Sequence, residues 1–195
     1  MTTNRLEAFS DGVLAIVITI MVLELKAPED ASLESLWKLF PVFISYILSF
    51  IYLGIYWNNH HHLFQITQKI NGKILWSNLH LLFWLSLIPF TTAWVGEHYD
   101  KELPIATYGI VLLMSAIAYN ILQSQILRFH DEQFKLRKAI GKDYKGKISI
   151  LMYVVGIALS FVNTKIAIIA YMIVAAMWFL PERRIEKLNN EKNEN

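Results

Sequence analysis

Long uninterrupted runs of apolar residues constrain this chain more than any other feature of its sequence. A helix that crosses a bilayer needs roughly 20 such residues, at about 1.5 Å of rise each. Four runs meet this need: Phe9–Leu25, Leu36–Trp57 with an extension to Phe64, Ile74–Val95 and Ile105–Leu127. Backbone in contact with lipid must be helical or form a closed barrel, and barrel strands alternate apolar with polar residues. We therefore expect membrane-spanning helices.

The last apolar block, Ile148–Leu180, is too long for one span and is interrupted by Asn163, Thr164 and Lys165. We interpret it as a tight hairpin of two short helices; one tilted helix followed by a surface helix is the alternative. The hairpin makes the predicted fold an all-α membrane domain of six transmembrane helices over residues 1–181, followed by a polar cytoplasmic tail over 182–195. A proline inside a helix removes a backbone hydrogen bond, so we expect Pro89 to kink the third helix.

The basic residues predict the orientation. With six spans, 14 of the 18 Lys and Arg residues fall on the side that holds both termini, and only Lys26, Lys38, Lys101 and Lys165 fall on the other. Basic residues favour the cytoplasmic side, so both termini should be cytoplasmic. Anionic lipid head groups account for these charges, and we expect no nucleic-acid partner. The chain has no cysteine, which excludes disulfides and thiolate metal sites.

The first predicted helix opens with polar residues, namely Arg5, Glu7, Ser10 and Asp11. Charged groups at a membrane boundary often mark function, but Arg5 and Glu7 fit a hydrated end equally well, and Asp11 fits a helix cap. Further along, Ile16, Ile20 and Leu23 share one face, with Thr19 beside it. Such a stripe faces lipid, packs on a neighbouring helix or lines a pore.

Histidines end the second predicted helix, at His60, His61 and His62, and His80 lies on the third. A metal or haem site is one interpretation. Adjacent helical residues diverge by about 100°, so the three do not converge on one ion. The other interpretation is interfacial anchoring, with one histidine hydrogen-bonded inside the bundle. Catalytic triads, phosphate loops and dinucleotide turns are absent from the sequence, and so is a TVGYG-type filter; we expect no enzyme activity and no cofactor.

Three motifs together resemble a known family. Residues from Arg5 through Phe9, Ser10 and Asp11 match the R-x-x-x-F-S-D signature of transmembrane protein 175, a family of endosomal and lysosomal potassium channels with prokaryotic relatives. The segment Trp57, His60, His61, Leu63 and Phe64 is similar to the W-x-x-H-H-x-x-F segment of that family. A third similarity joins Asn78 and Leu79 to Pro89, Phe90 and Thr92. The second half of the chain matches only in hydropathy and length.

The resemblance implies a cation channel with a modest preference for K⁺ over Na⁺, whose prokaryotic members form homotetramers in the cytoplasmic membrane. It places Ile16 at the narrowest point of a pore lined by helix one, with further apolar rings at Ile20 and Leu23 and a K⁺-selecting Thr19. It also implies a set of bracing residues that hold the pore helix: Arg5, Phe9, Ser10, Asp11, Trp57, Asn78 and either His60 or His61. The only expected ligand is permeant K⁺. A secondary or proton-coupled transporter and a histidine-based membrane metalloenzyme are the alternatives.

Overall fold

Helices make up all the regular structure in the described part of the chain. The structure is a computed structural model that describes residues 2–67, 69–130 and 144–179. In chain order the helices are α1 (Thr3–Leu23), α2 (Leu33–Lys38), α3 (Phe40–Ile66), α4 (Gly72–Ser86), α5 (Ile88–Glu97), α6 (Glu102–Phe129), α7 (Tyr144–Ser160) and α8 (Thr164–Phe179). The predicted polar tail over 182–195 and residues 131–143 lie outside the described residues.

Four helical segments are long and apolar enough to cross a membrane: α1, α3, α4 together with α5, and α6. The chain is therefore an integral membrane protein. Helices α7 and α8 have 17 and 16 residues and fall short of a full span of about 20. They pack against each other as a hairpin, and the side chain of Asn163 begins α8 by accepting the backbone N–H of Lys165 at 3.0 Å. The helix break lies where the sequence predicts it; that this hairpin crosses the membrane stays a prediction.

The predicted kink in the third span is confirmed. Helix α4 ends at Ser86 and α5 begins at Ile88, with Pro89 in its first turn. Proline has no N–H to donate to the carbonyl one turn back, so the regular helical bonding stops there. The N–H of Leu87 instead bonds the carbonyl of Trp84, three residues back, at 3.2 Å.

Two helix starts differ from the sequence prediction. Helix α1 begins at Thr3, six residues before the apolar run that marks its predicted span, so Arg5 and Glu7 lie within the helix, and Asp11 lies too far inside it to act as its cap. The second predicted span divides at Leu39 into α2 and α3. Ser32 caps α2 by accepting the N–H of Ser35 at 3.1 Å, and Pro41 in the first turn of α3 favours a new start. Helix α3 then continues to Ile66, which confirms the extension past Trp57.

Burial differs sharply among the four spans. Helix α6 packs on α4, α5, α7 and α8, and α1 lies against α3, α4 and α5. Within the most apolar 18-residue stretch of each helix, 61% of the residues of α6 are buried, against 28% for α1 and 22% for α3. Apolar surface is unfavourable in water, so the uncovered faces of α1 and α3 must contact lipid or another copy of the chain.

Candidate functional site

Helix α1 has one covered and one uncovered face. The buried residues Leu6, Ser10, Leu14, Val17 and Met21 recur every three or four positions and pack inside the protomer. The opposite face carries the predicted constriction residues: Ile16 is 59% exposed, Leu23 is 79% exposed, and Ile20 is also exposed. All the predicted constriction residues therefore lie on the face that the protomer leaves uncovered, and their place in a pore stays a prediction.

Thr19 lies on the same uncovered face, one turn beyond Ile16. Its hydroxyl donates to the carbonyl of Ile16 at 2.8 Å. With the hydrogen engaged by the backbone, only the lone pairs of the oxygen are free to meet an outside group. The residue therefore presents an acceptor, which suits a cation.

A buried hydrogen-bond chain joins three helices at the inner face of α1. The Ser10 hydroxyl donates to the carbonyl of Leu6 at 2.9 Å and accepts the side-chain amide of Asn78 in α4, also at 2.9 Å. The carbonyl oxygen of Asn78 lies 2.8 Å from Nε2 of His60 in α3. Because that oxygen only accepts, Nε2 carries the hydrogen. All three side chains are 0–1% exposed, and Nδ1 of His60 is buried without a partner among the described residues.

A second set of contacts joins α1 directly to the end of α3. The carboxylate of Asp11 accepts the indole N–H of Trp57 at 3.0 Å, and the Trp57 ring stacks on His61 with centroids 5.9 Å apart. Nδ1 of His61 lies 2.6 Å from the carboxylate of Glu7, and Nε2 lies 2.7 Å from the side-chain amide of Gln65. Both ring nitrogens of His61 are therefore engaged, one by α1 and the other by its own helix.

Most of the predicted bracing residues thus lie together, but two do not. Arg5 is exposed and forms no hydrogen bond or ion pair within the part of the chain that the structure describes, and Phe9 is half exposed on the uncovered face of α1. Both histidines reach α1: His60 through Asn78, and His61 through Glu7. Sequence reasoning did not place Glu7 in this set. Its spacing of three and four residues from Ser10 and Asp11, on one helix face, was the available signal. The bracing role itself stays a prediction.

The histidines do not converge on a metal site in the described residues. His60 and His61 turn to different partners, and Nε2 of His80 accepts the indole N–H of Trp84 at 2.9 Å. No group of three His, Asp or Glu side chains in residues 2–67, 69–130 and 144–179 is placed to hold an ion.

Comparison with known proteins identifies the family. Residues 5–89 match the family model described as "Endosomal/lysosomal potassium channel TMEM175". A protein from a Chryseobacterium species, named a potassium channel, is 60% identical over 96% of this chain and 97% of its own length. A second protein named a potassium channel, from Chamaesiphon minutus, is 31% identical over 85% of this chain and 88% of its own.

The fold agrees with the sequence comparison. A crystal structure described as that of a lysosomal potassium-selective channel TMEM175 homolog from Chamaesiphon minutus superposes with a TM-score of 0.79. That match covers 92% of this chain and 97% of the other, at 28% identity. On the strength of these matches in sequence and fold, this chain belongs to the TMEM175 family.

Proposed function

We propose that this chain is the subunit of a potassium-permeable cation channel in which four copies surround a central pore lined by α1. The observation that carries the proposal is the uncovered apolar face of α1. Closed rotational symmetry is the simple way for identical chains to bury one shared face around an axis. The names of the relatives, potassium channels from two bacteria, support the same conclusion.

The proposed gate is hydrophobic. Four Ile16 side chains meeting on the axis form a dry ring, and an ion that enters must lose its water without gaining protein ligands. Ile20 and Leu23 extend this barrier about 6 Å and 10 Å further along the pore, at 1.5 Å of rise per residue. Rotation or splaying of α1 widens and wets the ring, and the channel then conducts.

Thr19 accounts for a modest preference for K⁺. Its oxygen lies about 4.5 Å along the axis from Ile16 and presents lone pairs outward, so that four copies partly replace the hydration shell of a cation. K⁺ releases its shell more readily than Na⁺, and a few weak dipoles therefore favour it modestly. A preference of this size does not require a ring of backbone carbonyls such as a TVGYG-type filter provides.

The outer loops supply a negative potential at the mouth. Three of their carboxylates are matched by lysines, in the pairs Lys26–Glu97, Lys38–Glu34 and Lys101–Asp100 at 3.7, 3.3 and 3.2 Å. Asp30 forms no ion pair with a lysine or arginine among the described residues, and hydrogen bonds from the side chain and backbone of Ser32 lower the pKa of its carboxyl, so it stays ionised. Charge of one sign around an entrance raises the local concentration of the counter-ion.

Substitutions on α1 test the pore. Ile16→Asn puts a polar group into the dry ring and should raise basal K⁺ flux from proteoliposomes while lowering the K⁺/Na⁺ ratio. Ile169→Asn on α8 is the matched control, since Ile169 is similarly exposed at 54% but lies on another helix. Equal flux for wild type and Ile16→Asn, or an equal rise for Ile169→Asn, refutes the assignment.

A second substitution tests selectivity alone. Thr19→Val keeps the shape of the side chain and removes its oxygen, so the permeability ratio of K⁺ to Na⁺ should fall toward one. The measurement is the reversal potential under bi-ionic conditions. An unchanged ratio removes Thr19 from the selectivity mechanism without affecting the proposal for Ile16.

The proposed topology has six spans with both termini cytoplasmic. The described residues contain no cysteine, and neither does the rest of the sequence, so single-cysteine labelling is unambiguous. Six spans place the turn between α7 and α8 outside, and four spans with a hairpin that does not cross place it inside. Lys165→Cys in intact cells should react with a membrane-impermeant maleimide, whereas Lys147→Cys should not. Protection of Lys165→Cys contradicts the six-span topology.

A proton-coupled carrier is the second candidate, and one observation favours it. Titratable groups gather where α1 meets α3: the Glu7–His61 pair lies beside the buried His60, whose Nδ1 has no partner in the described residues. Unitary currents in single-channel recordings separate the two, because a carrier turns over too slowly to produce them.

A further inference from the structure

Basic side chains at the two ends of the bundle differ in their partners. At the end where α1 finishes, Lys26, Lys38 and Lys101 each lie within 4.0 Å of a carboxylate. At the opposite end, Lys73 and Arg128 are exposed and form no ion pair among the described residues. Both are therefore candidates to bind an anionic group from outside the described residues.

Two clefts at that end meet on one residue. The cleft between α4 and α6 is lined by Lys73, Trp76 and Gln125, and the cleft between α6 and α7 by Gln125, Arg128 and Ile150. Gln125 and Arg128 are one turn apart on α6, as Lys73 and Trp76 are on α4, so each pair shares a helix face. Both unpaired cations therefore border one continuous surface on the perimeter of the protomer.

The chemistry along this surface changes in a defined order. On α6, Ile117 and Ile121 come first, with Asn120 between them, then Ser124 and Gln125, and last Arg128, a run of about 16 Å at 1.5 Å per residue. The side-chain amide of Asn120 donates to the carbonyl of Ala116 in the same helix at 3.0 Å. Helix α6 has 28 residues, about 42 Å, and exceeds a hydrocarbon core of about 30 Å. The apolar part of the run thus lies at acyl-chain depth and Arg128 lies at the head groups.

We propose that this surface binds an anionic phospholipid. Lys73 and Arg128 hold the phosphate, Ser124 and Gln125 donate to the glycerol and ester oxygens, and one acyl chain packs on Ile117, Ile121 and Ile150. Trp76, which is 75% exposed, lies at head-group depth, where amphipathic rings are favoured. The order apolar, polar, cationic is the order of a phospholipid from chain to head group. A free phosphate ion has no acyl chain to pack on these isoleucines, so the apolar end of the surface favours a lipid over a phosphate ion. The clefts are lined by residues of α4, α6 and α7 and by none of α1, the helix that lines the proposed pore.

Native mass spectrometry of the detergent-purified full chain tests the site, with phosphatidylglycerol and phosphatidylcholine as probes. The variants are the double substitution Lys73→Gln with Arg128→Gln, and Lys147→Gln as the control. Lys147 is an exposed cation at the same end of the bundle that does not line either cleft. The exposed positions should leave folding intact, which size-exclusion elution checks.

Each cation that contacts the bound lipid should change its affinity by about fivefold, so the double variant should bind phosphatidylglycerol about 30-fold more weakly. Lys147→Gln should retain wild-type affinity, and phosphatidylcholine should bind weakly to all three proteins. An equal loss for Lys147→Gln shows attraction by net charge alone and overturns the site. The site is also overturned if the double variant retains affinity, if phosphatidylcholine binds as tightly, or if inorganic phosphate displaces the lipid.

Discussion

Asn78 is the position where one substitution should disturb the packing of α1 most. Its amide donates to Ser10 of α1 and its carbonyl accepts from His60 of α3, while its own backbone belongs to α4. The side chain is fully buried. Asn78→Ala therefore removes two hydrogen bonds between helices in one step.

The two losses are unequal. Ser10 keeps its bond to the carbonyl of Leu6, whereas His60 is left without a hydrogen-bonding partner among the described residues. Hydrogen bonds between membrane helices average about 0.6 kcal/mol each and reach about 1.7 kcal/mol. A buried donor that loses its partner adds about 1–3 kcal/mol. Asn78→Ala should lower the free energy of unfolding by about 2–4 kcal/mol.

Asn59→Ala provides a matched control, because within the described residues the Asn59 side chain donates only to the carbonyl of Ile55 in its own helix, at 2.8 Å. Alanine is also the better helix former by roughly 0.5 kcal/mol, so this change should be close to neutral. Both variants are unfolded by titration with sodium dodecyl sulfate in mixed micelles. A difference below about 1 kcal/mol between them refutes the reasoning. So does zero coupling in a double-mutant cycle of Asn78→Ala with Ser10→Ala, where about 0.6–1.7 kcal/mol is expected.

Two further predictions concern packing and loop charge. Gly109→Ala puts a methyl group against the Tyr171 ring and should lower the free energy of unfolding by about 1–3 kcal/mol. A methyl group at Gly54 meets no atom within 4 Å, so Gly54→Ala is the control and should not lower it. Thermal unfolding in detergent compares the two variants. Ser32→Ala removes the largest cause of the lowered Asp30 pKa, so a carboxyl NMR titration should find it closer to 3.8. The stability from Asp30 is present above 3.8 and is lost as pH falls through the lowered pKa. An unshifted pKa in Ser32→Ala contradicts this cause.

Hydropathy was sufficient to predict the four long apolar spans, and helical period the covered and uncovered faces of α1, because both are local properties of the chain. Lipid exposure requires continuous apolar runs, and one helix face repeats every three or four residues. The same period separates the covered residues Leu14 and Val17 from the uncovered Ile16 and Ile20. Helix α2 was missed because six amphipathic residues directly before a longer apolar run carry no separate hydropathy signal.

The partners within the bracing set were beyond local patterns. Asn78 and His60 are 18 residues apart and lie on different helices, so whether they meet depends on how α3 and α4 are rotated about their axes. Neighbouring histidines made the choice ambiguous, since His60 and His61 point about 100° apart. For Glu7 at the start of the first helix, the sequence left two interpretations open, a functional charge or a hydrated helix end. In the structure Glu7 lies within α1, and its carboxylate contacts His61 of α3.

The position of these contacts along α1 determines how the helix can move in the proposed channel. Among the described residues, the polar side-chain contacts of α1 with other helices come from Glu7, Ser10 and Asp11, apart from a long contact of Met21 sulfur with Thr92 at 4.0 Å. Directional hydrogen bonds hold that end, while the apolar contacts beyond it allow small shifts.

A pivot near Asp11 moves each proposed ring in proportion to its distance from the pivot. Ile16 lies about 7.5 Å and Leu23 about 18 Å beyond Asp11 at 1.5 Å per residue, so a tilt of about 10° moves them by about 1.3 Å and 3 Å. For the same tilt, Leu23 therefore moves about twice as far from the axis as Ile16. The anchoring of α1 at one end is thus consistent with the proposal that the ring at Ile16, rather than the more exposed Leu23, is the constriction.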